Sequence, residues 1–445
     1  MRLIFVFALA LVAGLLPLSR THAGMTGGFF DAPVDPGASL SPAGIYPHGR
    51  RMAYMGYSGK PARDLETGFT VAGPVYGAQE AYLAECIKNH WPVVAQVPSE
   101  VRFVGAGSEK KQDFDAAVKG AEAFVAKYAG NKEILWWSVL PEELRPWMPV
   151  EMAYLNRMTQ AIRAKDPLKR PIFLYNPNLR SEATLLPIAH EVDILGKGCY
   201  VNWTDRKNNR EWIRSSIQSE VAAAETASKT KRGGVKRQVT PILMPELCAD
   251  PAKAEFGMIE TWVRHDVYLG LCSGAKGVLI WSLFPRPGVK ASWKLWYDAY
   301  ARCGREIGDE RRLGEVFLFG ESRKNILLTS PHESKVATKV AAKAAKEAKV
   351  TGTKPNSEDR TTNADERRVR PTGDVTVTFR EIAFGKRRYF FVVNSRNKPR
   401  SFKTAGWPGS ARFSDAFTGA DLAAADVASF TLPAWGVAGF VAEAK

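Results

Sequence analysis

Histidine and cysteine are scarce in this chain, and each scarcity closes a route. Six histidines occur in 445 residues. None stands at the end of a predicted strand: His22 lies near the N-terminus and His265 inside a predicted helix. Hydrolysis by a His-held metal and acyl transfer by a Ser–His–acid set are therefore disfavoured. The five cysteines, Cys86, Cys199, Cys248, Cys272 and Cys303, are far apart and lack the spacing of zinc ligands. Cys199 and Cys248 follow neighbouring strands and could form a bridge or remain buried thiols. No Gly-rich phosphate turn follows the first strand, so the dinucleotide-binding signature is missing. Acidic residues are in deficit, 46 against 62 basic ones, a net charge of +16. That surplus suits an acidic partner such as an anionic polysaccharide, a membrane surface or nucleic acid; no specific nucleic acid is assigned. Beyond the N-terminus no apolar run is long enough to span a membrane.

The N-terminus itself carries Arg2, then the apolar run Leu3–Leu18, then Thr21-His-Ala23. This order predicts a secretory signal peptide over residues 1–23, cut after Ala23, and hence a secreted or periplasmic protein. Residues 24–44, rich in Gly, Pro, Ser and Asp, read as an irregular lead.

From residue 45 to 309 short apolar runs alternate with amphipathic ones. The predicted strands are Arg51–Ser58, Gly68–Val75, Pro92–Val97, Ile134–Leu140, Pro171–Tyr175, Val192–Tyr200, Val239–Met244 and Gly277–Trp281. Helical spacing separates nearly all of them, as in Gln79–His90, Asp113–Tyr128, Glu151–Ala164, Arg210–Ser228 and Ala254–Leu271. Buried strands without polar alternation suit a parallel sheet covered on both faces. Eight such units predict an α/β fold, a (β/α)8 TIM barrel; an open doubly wound sheet is the alternative. The first two strands are joined by a connection too short for a long helix. Residues 310–445 change period. Val316–Phe319, Asn325–Leu328, Val375–Phe379, Arg388–Val393, Phe402–Thr404 and Gly436–Val441 read as strands of an all-β sandwich. Residues 333–370 interrupt it with an Ala/Lys repeat and then polar residues, without one aromatic. Such a segment buries too little apolar surface to order itself, and reads as a flexible basic insertion.

In a barrel the reacting groups stand at the C-terminal ends of the strands. Those ends supply Tyr57, Tyr76, Gln96, Glu142, Glu143, Tyr175, Asn176, Tyr200, Asn202, Glu246 and Trp281. Carboxylate, phenol, amide and indole dominate. Two strands end on Pro-Glu, at Glu142 on the fourth and Glu246 on the seventh, and these lie on roughly opposite walls of an eight-stranded barrel. Paired carboxylates, with flat rings beside them, are the groups that glycoside hydrolysis needs: one protonates the leaving oxygen, the other attacks the anomeric carbon or activates water.

Trp137-Ser-Val-Leu-Pro-Glu142 resembles the strand-four motif of retaining glycoside hydrolases of the large (β/α)8 clan, with Pro141 where those proteins carry Asn. Val239-Thr-Pro-Ile-Leu-Met-Pro-Glu246 is similar to their strand-seven segment, and Gly274-Ala-Lys-Gly-Val-Leu-Ile-Trp281 to their strand-eight segment. Tyr389-Phe-Phe-Val-Val-Asn394 and Ala416-Phe-Thr-Gly419 are similar to the accessory sandwich of many such enzymes. The resemblance implies Glu142 as acid/base, Glu246 as nucleophile, Trp281 as floor of the sugar site and Tyr200 as hydrogen-bond partner of the nucleophile. Trp137, Asn176 and Tyr57 join them as candidate substrate-binding residues. It implies a carbohydrate substrate, with an anionic one compatible with the charge, and neither metal nor organic cofactor. A non-catalytic glycan-binding or scaffold protein on a degenerate barrel is the alternative.

Overall fold

The structure is a computed structural model that describes residues 51–77, 79–103, 111–142, 144–176, 180–201, 209–232, 235–236, 238–247, 250–285, 287–330 and 374–444. The expected signal peptide, the lead and the basic insertion lie outside these residues, as do Glu143, Asn202 and Cys248. No helix among the described residues is long and apolar enough to cross a membrane.

Seven parallel strands form one sheet: β1 (Tyr54–Gly56), β2 (Val93–Gln96), β3 (Ile134–Ser138), β4 (Ile172–Asn176), β5 (Ile194–Cys199), β8 (Thr240–Pro245) and β9 (Val278–Ile280). Their order is β1-β9-β8-β5-β4-β3-β2. The gap between β1 and β2 is filled by residues 69–74, the expected second strand, whose pairing is too brief to count as one. Thr70 donates its amide to Tyr54 O at 2.9 Å on one side, and Ala72 donates to Pro92 O at 2.8 Å on the other. Val94 N returns a bond to Ala72 O at 3.0 Å. The ring of eight is thereby closed, and the doubly wound alternative is excluded. A short antiparallel hairpin, β6 (Lys231–Arg232) and β7 (Val235–Lys236), precedes β8 and was not expected.

Helices cover the ring: α1 (Pro61–Thr67), α2 (Gln79–Lys88), α3 (Phe114–Tyr128), α4 (Pro149–Lys165), α5 (Glu182–Ala189), α6 (Trp212–Lys229), α7 (Ile259–Ser273) and α8 (Trp293–Ile307). Their starts follow local chemistry. Asp113 caps α3 by accepting from Ala116 N at 2.9 Å, Ser181 caps α5, and Pro61 and Pro149 open α1 and α4, where the missing amide hydrogen costs nothing. The short first connection does hold a helix, the seven-residue α1.

Side chains alternate across each strand. Trp136, Phe173, Tyr175, Ile242 and Met244 join one buried cluster, while Trp137, Leu174 and Leu195 join another under α2–α6. The interior is narrow for so many rings, and β5 yields the space. A Cβ on Gly196 would lie 2.3 Å from Phe173 Cε2 and 2.7 Å from Met244 Sδ; one on Gly198 would lie 2.8 Å from the Tyr175 ring.

The chain then forms α9 (Leu313–Phe319), not the strand expected at Val316–Phe319. The error is one of period: four consecutive apolar residues fit either element. Here Leu313 to Leu318 are all buried, and Gly314 sits so close to the barrel that a Cβ would meet Met52 Cβ at 2.7 Å. Two antiparallel sheets follow. One runs β10 (Glu321–Arg323), β12 (Val377–Phe384), β13 (Arg387–Asn394), β18 (Val437–Ala444), β15 (Ala411–Asp415), β16 (Asp421–Leu422); the other runs β11 (Leu327–Thr329), β14 (Arg400–Ala405), β17 (Ser429–Leu432). Between them Phe390, Val392, Phe402, Phe413, Val427 and Phe440 form the sandwich core. The first sheet's other face seats on the outside of α7–α9. There Tyr268 meets Phe417 (centroids 4.9 Å apart), Phe317 meets Phe391 (4.7 Å), and His265 Nε2 bonds Ser395 Oγ at 2.8 Å. Cys86, Cys199, Cys272 and Cys303 are buried free thiols.

Gly196→Val should lower folding stability by about 1–3 kcal/mol, the usual cost of overpacking a filled core. Urea unfolding followed by tryptophan fluorescence measures it; an unchanged midpoint would mean that the barrel interior has room to spare.

Candidate active site

The C-terminal ends of the barrel strands gather an arc of rings. Tyr175, on β4, lies parallel to Tyr200 with centroids 6.0 Å apart, and Tyr200 stacks on Trp281 at 5.1 Å. Trp281 Nε1 donates to the Tyr76 hydroxyl at 3.1 Å, and Tyr76 stacks on Tyr57 at 5.0 Å. The arc therefore crosses the mouth from the fifth barrel position round to the first. Access differs along it: Tyr57 is 2 % exposed and its neighbour Tyr76 is 43 % exposed.

Glu246 follows directly on β8. Its residue pairs with Trp281 in a parallel bridge, Leu247 N donates to Trp281 O at 2.8 Å, and Trp281 N donates to Pro245 O at 2.9 Å. The backbone thus holds the carboxylate beside the indole. From behind, the Tyr300 hydroxyl on α8 donates to Glu246 O at 2.8 Å. Glu246 is 3 % exposed. Glu142 stands four residues past β3 and is half-buried. Burial first, and then the charge of Glu142, raise the Tyr57 phenol well above its ordinary value. Burial, the neighbouring Tyr175 and then Glu142 do the same to Tyr200. Glu142 is therefore within electrostatic reach of both phenols, and Tyr200 is stacked on the residue that Glu246 pairs with. Both acids therefore border one aromatic stack. Backbone peptides Gly73–Pro74, Leu140–Pro141 and Trp281–Ser282, all around this mouth, are cis.

Of the seven residues singled out from sequence, Glu142, Glu246, Trp281, Tyr200 and Tyr57 are brought together. Trp137 is not. It is fully buried on the outer side of β3, where its Nε1 donates to Asp166 Oδ2 at 2.9 Å and Arg170 lies over its ring at 4.5 Å. The strand's alternation turns Trp136 and Ser138 inward and Trp137 outward. Asn176 is buried at the end of β4, with Nδ2 donating to Leu174 O at 3.1 Å, and takes no part in the arc. Two contributors escaped the sequence reading. Ser138 hydrogen-bonds Tyr57; its place two residues after an inward Trp was a usable signal. Tyr300 reaches Glu246 from 54 residues away in sequence, on a helix, and no local pattern marks it. Among the described residues no group of three or more His, Cys, Asp or Glu is placed to hold a metal ion.

Solved structures share this architecture. A family 39 glycoside hydrolase from the gut symbiont Bacteroides cellulosilyticus WH2 superposes with a TM-score of 0.54 at 9% identity, covering 88% of this chain and 81% of that one. A β-galactosidase from Bacillus circulans sp. alkalophilus gives 0.52 at 9% identity, covering 88% and 99%. A catalytic mutant of a GH42 β-galactosidase from G. stearothermophilus gives 0.51 at 7% identity, covering 88% and 98%. The chain has the fold of (β/α)8 glycoside hydrolases. At such identities the likeness is one of fold, and it extends over barrel and sandwich together. No family model matches the sequence, and no curated protein matches it significantly.

The two phenols give a titration signature. Tyr57 and Tyr200 keep their protons well above about pH 10, the ordinary tyrosine value. The folded state then holds protons that the unfolded state has lost, so their contribution to stability is full below about pH 10 and falls as pH rises. In ultraviolet difference titration the folded protein should ionise fewer tyrosines near pH 10 than the same protein in urea. Equal counts would show that these phenols are open to solvent.

Proposed function

We propose that the protein is a retaining glycoside hydrolase in which Glu142 is the acid/base and Glu246 the nucleophile. The carrying observation is that both acids border the Tyr200–Trp281 stack, one through its charge on Tyr200 and the other through its backbone pairing with Trp281. The ring faces suit the C–H face of a pyranose, and the adjacent acids suit attack at its anomeric carbon.

In the first step the Glu246 carboxylate attacks the anomeric carbon. The bond to the leaving oxygen breaks as Glu142 gives that oxygen its proton. A glycosyl ester on Glu246 and a free alcohol result. In the second step Glu142, now a carboxylate, takes a proton from water while the water oxygen attacks the same carbon. The ester bond breaks, and sugar and both acids return to their first states. Two inversions retain the configuration, which calls for carboxyl groups about 5–5.5 Å apart. Tyr57 and Tyr200, held neutral, remain hydrogen-bond donors throughout. Tyr300 fixes the main chain that carries the nucleophile.

The basic surplus of the chain favours glycans with acidic groups as substrates. We further infer export, from the apolar run Leu3–Leu18 before Ala23. The mature N-terminus recovered from an expressing cell should then be Gly24; recovery of Met1 on exported or retained protein would refute cleavage.

Glu142→Gln should lower turnover by about 10^2–10^4-fold, the usual contribution of a positioned general acid. The loss should be smaller on substrates whose leaving group needs no proton, such as dinitrophenyl glycosides. Glu246→Gln should abolish turnover on every substrate. The panel begins with aryl β-galactosides and glycans containing uronic acid, and proton NMR of the first-formed anomer reads the stereochemistry. Full activity of either variant, or a first product of inverted configuration, would overturn the assignment. Specific glycan binding without turnover would favour a non-catalytic role, the alternative that Pro141 in the place of the usual Asn supports.

A further inference from the structure

Gln96 closes β2, at the third barrel position, and lies outside the aromatic arc. Val94 belongs to the interior cluster with Trp136, while Val93 and Ala95 join the outer one. Alternation along the strand therefore turns Gln96 inward. The register agrees, because Gln96 pairs with Ser138, itself an inward residue of β3. Gln96 thus stands at the mouth beside the residue that hydrogen-bonds Tyr57. Gln96 and Asn176 are the side-chain amides at the described strand ends, and Asn176 shares the outward parity of Leu174.

Its main chain is locked. Gln79, which opens α2, accepts from Gln96 N through Oε1 at 2.7 Å and donates to Gln96 O through Nε2 at 2.6 Å. The next residue, Val97, donates its amide to Ser138 O at 2.7 Å. All three bonds use main-chain atoms of β2 and leave the Gln96 side chain unspent. Gln96 is 9 % exposed. Its Oε1 is sealed from solvent without a partner; Nε2, equally without a partner among the described residues, is the end of the amide that solvent touches. An amide so nearly buried is unfavourable while its hydrogen bonds go unmade. Fixed by its backbone, it is preorganised for a ligand group that makes one. The interior of an eight-stranded barrel is only wide enough for side chains, and the Ser138–Tyr57 bond crosses it from the fourth position to the first. A pyranose on the Tyr200–Trp281 stack therefore turns ring hydroxyls towards the wall that carries Gln96.

We propose that Gln96 is a specificity-determining residue whose Nε2 donates to one ring hydroxyl of the sugar seated on the Tyr200–Trp281 stack. The proposal rests on the reading of the mouth as a glycosidase site. The hydroxyl oxygen accepts from the amide, and its own proton stays available to a second acceptor. A sugar lacking that hydroxyl leaves the amide unmet, which is the source of discrimination in sites built to hydrogen-bond a substrate hydroxyl.

The test compares kcat/KM on the aryl glycoside that the wild type turns over fastest with kcat/KM on each of its monodeoxy analogues. Gln96→Ala should lower kcat/KM on the parent about tenfold, the worth of one neutral hydrogen bond. On the analogue that lacks the bonded hydroxyl, variant and wild type should be equal, and that analogue names the hydroxyl. Because Gln79 grips main-chain atoms only, Tm should not change. Gln96→Met, of similar length but without the amide, takes the place of the alanine variant if that one fails to fold. A loss of the same size on the parent and on every analogue, or no loss at all, overturns the assignment, while turnover by the wild type leaves the glycosidase reading standing. If the wild type turns over no glycoside, that reading fails instead, and the same comparison made on Kd, from isothermal titration calorimetry with the methyl glycosides and their deoxy analogues, decides the role of Gln96. Absence of both turnover and binding overturns both.

Discussion

A closed ring of eight parallel strands has a small interior, and every inward side chain competes for it. That competition governs the mouth. Trp136, Phe173, Tyr175 and Met244 are all large and all directed inside, and β5 admits them by presenting Gly196 and Gly198 to the same space. Tyr175, given room by Gly198, lies parallel to Tyr200, which lies on Trp281. The aromatic arc therefore rests on two absent side chains one strand away. The closing segment, residues 69–74, belongs to the same constraint: its few backbone bonds bring Tyr57 and Tyr76 round to meet Trp281.

The acids are held differently from the rings. Glu246 is placed by its own main chain, clasped between Trp281 and Tyr300, so its position follows from β8, β9 and α8 as rigid elements. Glu142 stands on the connection after β3, beyond the strand's last ladder residue. A carboxylate on a rigid strand end and one on a connecting segment are held by different means, the first by ladder bonds and the second by its own segment.

Much of this was legible from residues alone because a parallel barrel writes its strands as apolar runs. Ile134–Ser138, Ile172–Asn176 and Thr240–Pro245 were readable for that reason, and their ends named both acids and Tyr175. The same plainness hides orientation. In a strand buried on both faces, Trp136 and Trp137 look alike, and only the closed ring shows that one faces in and the other faces Asp166. Short runs also hide period, which is why Val316–Phe319 read as a strand. The sandwich suffered the opposite fault: in β15, Ala411-Arg-Phe-Ser-Asp415, only Phe413 is buried, too little apolar signal to stand out. Contacts between distant segments, Tyr300 to Glu246 and Arg380 to Leu271, leave no trace in local pattern.

The sandwich is not hung from the barrel by a tether. Its inner sheet supplies Ser395 to His265, Phe417 to Tyr268 and Phe391 to Phe317, and all three barrel-side residues are fully buried as a result. Two units that share a core in this way depend on each other for its burial. Removing the sandwich would bring His265, Tyr268 and Phe317, each fully buried, into water. The likeness to the three structures compared above accordingly spans 88% of this chain, barrel and sandwich together.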